Sequence, residues 1–215
     1  EIVFEDDLEA ERLDTSTWNF CHWWDAGTGC QIRSSGELQW YVPDQVRIDG
    51  GALVLTAEPT AERDQPYVSG MISSGPPDYR SAAKSAFTYG AVEARIRLPR
   101  GAGLWPAVWM LPESTESRPE IDIVEMYGDS PKVMRMHLHW LGADDDRESR
   151  GEYADGTDLT EGWHTVGVLW QRESIVWYLD GVEQWRVDGP QVPDEPMYVE
   201  INLAAGGERH GKPTA

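Results

Sequence analysis

Glu120-Ile121-Asp122-Ile123-Val124-Glu125 puts three carboxylates into a run whose remaining residues, Ile and Val, read as a β-strand. Acids are depleted from strands, so three of them among β-branched residues call for a reason. Strand side chains alternate between faces, so Glu120 and Asp122 share one face and position 124 would come next on it. Glu125 falls one residue out of phase. A β-bulge, with its one extra residue, would return it to the face of Glu120 and Asp122. Two carboxylates held roughly 5–5.5 Å apart are the apparatus of retaining glycoside hydrolysis, one as nucleophile and the other as acid/base. Three clustered acids more often mark a solvated strand face or a calcium site. The neighbouring sequence argues for chemistry instead.

Upstream, Gly103-Leu104-Trp105-Pro106-Ala107-Val108-Trp109 supplies two tryptophans four residues apart. Downstream, Met136-His137-Leu138-His139-Trp140 adds two histidines and a third indole. Indoles offer flat apolar faces to sugar C–H surfaces and an N–H to a hydroxyl. Acids flanked by indoles suit a polysaccharide cleft.

Outward from this centre, period-2 alternation recurs and sustained helical periodicity does not. Leu53, Leu55 and Ala57 share one face; Val92, Ala94, Ile96 and Leu98 do the same against Glu93, Arg95 and Arg97. Asp180-Gly181 separates two alternating runs, 174–179 and 182–187, as a hairpin turn does. Loops are marked by Gly75-Pro76-Pro77-Asp78, by residues 112–119 and by Ala143-Asp144-Asp145-Asp146, the last read as solvated rather than calcium-binding. Many short strands between turn signals predict an all-β sandwich. The 215 residues fit one such domain, residues 1–215, without repeat or linker.

Composition narrows the partners. With 18 Lys and Arg against 38 Asp and Glu, the net charge is -20. That excludes a phosphate-backbone partner and disfavours sulfated or uronic polymers, leaving a neutral polysaccharide. No apolar run approaches the roughly 20 residues of a membrane span. Only Lys84, Lys132 and Lys212 are lysines, which fits either a GC-rich genome or adaptation to salt. Cys21 and Cys30 bracket a short Gly-containing loop and read either as a disulfide in an oxidising compartment or as two free thiols; neither a second Cys pair nor a suitably spaced His pair completes a zinc site. Of the eleven tryptophans, three or four are expected in a cleft and the rest in packing.

The acidic hexapeptide and its flanks resemble glycoside hydrolase family 16, in particular its laminarinase-like endo-β-1,3-glucanases. The resemblance extends through Glu37-Leu38-Gln39-Trp40-Tyr41, residues 51–57, Ser69-Gly70-Met71-Ile72, residues 89–96, Trp163-His164-Thr165-Val166, Trp177-Tyr178-Leu179-Asp180-Gly181 and residues 201–207. It implies a β-jelly-roll sandwich of two antiparallel sheets with the substrate cleft across the concave one. It implies that Glu120 is the nucleophile, Glu125 the acid/base and Asp122 an orienting neighbour, with adjacent negative charge keeping Glu125 protonated. It places His139 in the cleft beside the acids and leaves His137 as a packed or surface residue. Trp105 and Trp109 are expected beside the scissile bond, with Trp140 and Asn202 as further candidates. Relatives often carry Arg where this chain has Met71 and Asn where it has Gly36, both sugar contacts there.

The family normally continues past the position of Ala215 into a final strand that often supplies a ligand to a structural calcium. Its absence here weakens a calcium site; no other metal or cofactor is implied. The sequence starts at Glu1 without a leader, so a secreted protein would have lost its signal peptide. The expected protein is a secreted, extracellular monomer acting on β-1,3-glucan. The alternatives are a galactan- or agarose-cleaving enzyme with the same mechanism, or a non-catalytic carbohydrate-binding relative.

Overall fold

The computed structural model describes every residue except 1, 3, 26–29, 33–34, 62–63, 115, 117–118, 208–210 and 214–215. Six short strands come first: β1 (Gln39–Tyr41), β2 (Val46–Asp49), β3 (Ala52–Leu55), β4 (Ala57–Pro59), β5 (Tyr67–Ser69) and β6 (Met71–Ser73). Longer ones follow: β7 (Gly90–Ile96), β8 (Leu104–Pro112), β9 (Glu120–Glu125), β10 (Val133–Leu141), β11 (Arg147–Asp155), β12 (His164–Gln171), β13 (Ser174–Leu179), β14 (Val182–Asp188) and β15 (Met197–Ala205).

Two antiparallel sheets make the expected sandwich. One has six strands in the order β11-β10-β9-β8-β15-β6, the other four in the order β14-β13-β12-β7. Alternation drives their apposition. Val108, Met110, Ile121, Met136 and Leu138 from the first sheet meet Val168, Trp170, Ile175 and Trp177 from the second, all almost fully buried. Val92, Ala94, Ile96 and Leu98 pack onto this core as their spacing predicts. Asp180 and Gly181 both have positive φ, 50° and 76°, the mirror-image turn that matches strand twist in a two-residue hairpin. Two small sheets flank the sandwich: β2-β3, and β1-β5-β4, in which β1 and β5 run parallel.

The predicted bulge is present. Against β8, Val124 pairs with Val108 and Asp122 with Trp109, leaving Ile123 unpaired; against β10, Glu125 faces Arg135 and Asp122 faces His137. Ile121, Ile123 and Val124 therefore all enter the core. The carbonyl of Asp122 is held from below by the indole N–H of Trp177, which crosses the sandwich from β13 at 2.9 Å.

The N-terminal segment lies over the β6–β15 end of the large sheet. Cys21 and Cys30 are joined by a disulfide, with Cα atoms 5.4 Å apart. Cys30 packs with Tyr41 and Met71 in a second buried cluster. Fully buried His22 sets Nδ1 2.9 Å from Oε2 of Glu200 on β15, beneath Trp24, which stacks on the imidazole at 4.2 Å.

Candidate active site

Period-2 alternation on three adjacent strands turns one set of residues away from the core. On β8 these are Trp105, Ala107, Trp109 and Leu111; on β15, Tyr198 and Asn202; on β9, Glu120, Asp122 and Glu125. Together with Trp23, Trp24, Glu37, Tyr79 and Arg147 they line a cleft of about 1020 Å³. The bulge places all three acids on this one surface.

Asp122 sits centrally and is buried at 4% exposure, whereas Glu120 and Glu125 are partly open to the cleft. Oxygens of Glu120 and Asp122 lie within 4.8 Å of each other, as do oxygens of Asp122 and Glu125. Glu120 accepts a hydrogen bond from Nη2 of Arg147 at 2.7 Å. Glu125 accepts at Oε1 from the indole N–H of Trp105 at 2.9 Å, and its Oε2 lies 2.7 Å from Nδ1 of His137. His139 approaches Asp122 at 3.3 Å and Glu120 at 3.7 Å.

Burial, reinforced by the charge of Asp122, pushes Glu120 up to about 7, against the pull of His139 and Arg147. Burial also drives Asp122 well above the usual carboxylate range, with the Glu125 charge adding to it. Burial works to lower His137, but its hydrogen bond to Glu125 and the surrounding carboxylates outweigh that and raise it. Burial keeps His139 below the usual imidazole value. The sets Glu120/Asp122/His139 and Asp122/Glu125/His137 could each hold a divalent cation by spacing. Here their imidazole nitrogens already face carboxylate oxygens.

Trp105, Trp109 and Asn202 meet at the cleft as expected, and Trp109 donates its indole N–H to Asn202 Oδ1 at 2.9 Å. Trp140 does not join them. It follows His139 by one residue, so it faces the other way and packs on the core between the sheets. His137 corrects the expectation of a packed or surface residue, because it touches both Glu125 and Asp122. Met71 is fully buried and seats Cys30 Sγ at 3.5 Å, so it offers nothing to a sugar. Gly36 has φ 72°, a left-handed conformation that Gly and Asn adopt most easily, which accounts for glycine there. Sequence reasoning missed Arg147, Trp23, Trp24 and Tyr79. Only the tryptophans, adjacent to Cys21, carried any signal in the sequence.

An acid strand bulged onto the concave face of a two-sheet sandwich, edged by indoles, defines a glycoside hydrolase. The chain belongs to glycosyl hydrolases family 16, whose model it matches over residues 37–214. It is 35% identical to the endo-1,3-1,4-beta-glycanase EglC of Rhizobium meliloti over 99% of this chain and 47% of that protein. It is 29% identical to the glucan endo-1,3-beta-glucosidase A1 of Niallia circulans over 98% of this chain and 34% of that one. It thus spans less than half the length of either relative. The catalytic domain of an endo-1,3-beta-glucanase (laminarinase) from Thermotoga petrophila superposes over 100% of this chain and 90% of its own, with a TM-score of 0.84 at 25% identity.

Proposed function

We propose that this domain is a retaining, endo-acting hydrolase of β-1,3-linked glucan. The observation that carries the chemistry is the bulge at Ile123, which puts Glu120 and Glu125 on one surface with Asp122 between them. Glu120, ionised against Arg147, attacks the anomeric carbon as Glu125 protonates the departing glycosidic oxygen. Water then displaces Glu120 while Glu125 takes up its proton. Asp122, buried between the two glutamates, orients Glu120. Trp105 and Trp109 supply the faces on which sugar rings stack.

The substrate reading rests on the activities of the relatives, with the acidic surface favouring a neutral polymer. A cleft along the sheet rather than a closed pocket favours internal cuts. A mixed 1,3-1,4-linked glycan is the second reading, favoured by the name of the rhizobial relative. The disulfide and a polymeric substrate together support an extracellular site of action. Reducing-sugar release from laminarin, mixed-linkage β-glucan, galactan and agarose, with Glu120→Gln as the blank, tests this. Laminarin should be cut fastest, into short oligosaccharides. Sole activity on galactan or agarose overturns the substrate, and binding without cleavage of any overturns the enzyme.

A further inference from the structure

Glu125 makes two hydrogen bonds that together locate its proton. Oε1 accepts from the Trp105 indole at 2.9 Å, and an indole N–H can only donate. A proton on Glu125 therefore has no place on the line between Oε1 and Trp105. Oε2 faces Nδ1 of His137 at 2.7 Å, a separation that requires one proton between them. With no proton, the carboxylate oxygen and the imidazole lone pair would repel; with two, they would clash.

We propose that His137 is a positioning residue that stores and returns the proton which Glu125 gives to the leaving sugar, a role that rests on Glu125 being the acid/base. In the resting site the proton lies on the Oε2–Nδ1 bond, shared by imidazole and carboxylate. As the C1–O bond breaks and the bond from C1 to Glu120 forms, the proton passes from Nδ1 through Oε2 to the glycosidic oxygen. His137 is left neutral with its Nδ1 lone pair toward the Glu125 carboxylate, an unfavourable contact that draws the next proton back onto this bond. In the second half, water bonds to C1 as Glu120 departs. The water proton goes to Glu125 and back onto the shared bond, so the cycle closes without net proton change.

Several features hold the imidazole in this pose. Its ring nitrogen also lies 3.8 Å from Asp122 Oδ2, so the carboxylates of β9 favour a proton there. The other groups facing it are Glu120, which adds to that field, His139 at 5.9 Å between ring centroids on the same strand, and Tyr153 at 6.3 Å from β11. Directly across β11 is Gly151, which pairs with His137. A Cβ there would come within 2.3 Å of the imidazole Cδ2. Glycine at 151 is therefore what lets the ring lie flat and reach Glu125.

The test compares wild type, His137→Gln and Gly151→Ala on two substrates. One is laminarin; the other is an aryl β-glycoside of the β-1,3-linked disaccharide with a dinitrophenolate leaving group, which departs without protonation. His137→Gln keeps an N–H for Oε2 but cannot hold the extra proton. It should lose about tenfold or more in kcat/KM on laminarin, with KM little changed, and almost nothing on the aryl substrate. The alkaline limb of its pH profile should move down by about one unit or more. Gly151→Ala, which displaces the ring without altering a charge, should reproduce the substrate dependence. Equal losses on both substrates, or an unmoved alkaline limb, would reduce His137 to a structural residue and overturn the inference while leaving the assignment of Glu125 intact. A wild type inactive on both substrates would overturn that assignment and the inference together.

Discussion

Arg147 and Glu120 show how single side chains set the working pH of the site. A nucleophile must be ionised, yet burial and Asp122 hold Glu120 up to about 7, so it loses its charge as pH falls through neutrality. The acid limb of kcat/KM is therefore expected near pH 7. Arg147 pulls Glu120 down, and its guanidinium is half exposed, which screens the effect. Arg147→Met should raise the acid limb by about half a unit to one unit and leave the alkaline limb in place, read from a full pH–rate profile. An unchanged acid limb would remove Arg147 from the site's electrostatics. Among the acids, Glu125→Gln should cut kcat on laminarin by at least about a hundredfold, and Asp122→Asn should cost less because its role is orientation. A near-normal rate in Glu125→Gln, measured on purified protein of native circular dichroism, would reverse the assignment.

At the scale of elements, everything turns on β9. Its bulge turns Glu125 into the cleft, and the extra residue leaves a backbone carbonyl aimed at the core. Trp177, itself fully buried, satisfies it from the opposite sheet. Trp177→Phe would keep the apolar bulk and strand the Asp122 carbonyl without a donor, a loss of about 1–3 kcal/mol. Urea unfolding should show that loss, and kcat should fall with it as the bulge relaxes. Unchanged stability and rate would mean that the bulge supports itself.

The bulge was legible in sequence because the phase of Glu125 exposes it within six residues. The Trp177 bond was not, since it spans two sheets and 55 positions. Strand parity already placed His137 and His139 on one face and should have excluded Trp140. Which histidine meets Glu125 depended on the register shift between Arg135 and His137, which no single strand reveals. Arg147 was hidden for the same reason: it stands on the edge strand β11 and reaches Glu120 across β10, a contact that needs the three-strand order of the sheet.

Across the whole molecule, stability and catalysis pull in opposite directions. Glu120 and Asp122 have folded values above their unfolded ones, so the folded state binds more protons as pH rises through the unfolded range. Their contribution is greatest below about pH 4 and is lost as pH rises through about 7. Asp14, Asp78, Asp158 and Asp180 are lowered by hydrogen bonds or pairing, and their contribution disappears in acid. Net charge of -20 adds self-repulsion toward alkaline pH. Melting temperature should therefore peak at mildly acidic pH, fall toward pH 8, and recover there with added salt. Glu120→Gln should melt several degrees higher than wild type at pH 8, the gap closing near pH 5. A melting temperature flat in pH, or a variant equally stable at both, would show that these carboxylates carry no strain.

The β-sandwich was legible at this scale too, because alternation such as Val92 to Leu98 and a turn such as Asp180-Gly181 are local signals; the jelly roll came from the family resemblance. The wall built by Trp23, Trp24 and Tyr79 was not, as it forms only when the disulfide-linked segment covers the far end of the sheet. The most direct test of retaining cleavage by Glu120 and Glu125 is proton NMR of laminarin in the first minutes of digestion. New reducing ends should appear first as the β-anomer and on short oligosaccharides, with the α-anomer following by mutarotation. First appearance of the α-anomer, or laminarin left intact, would contradict it.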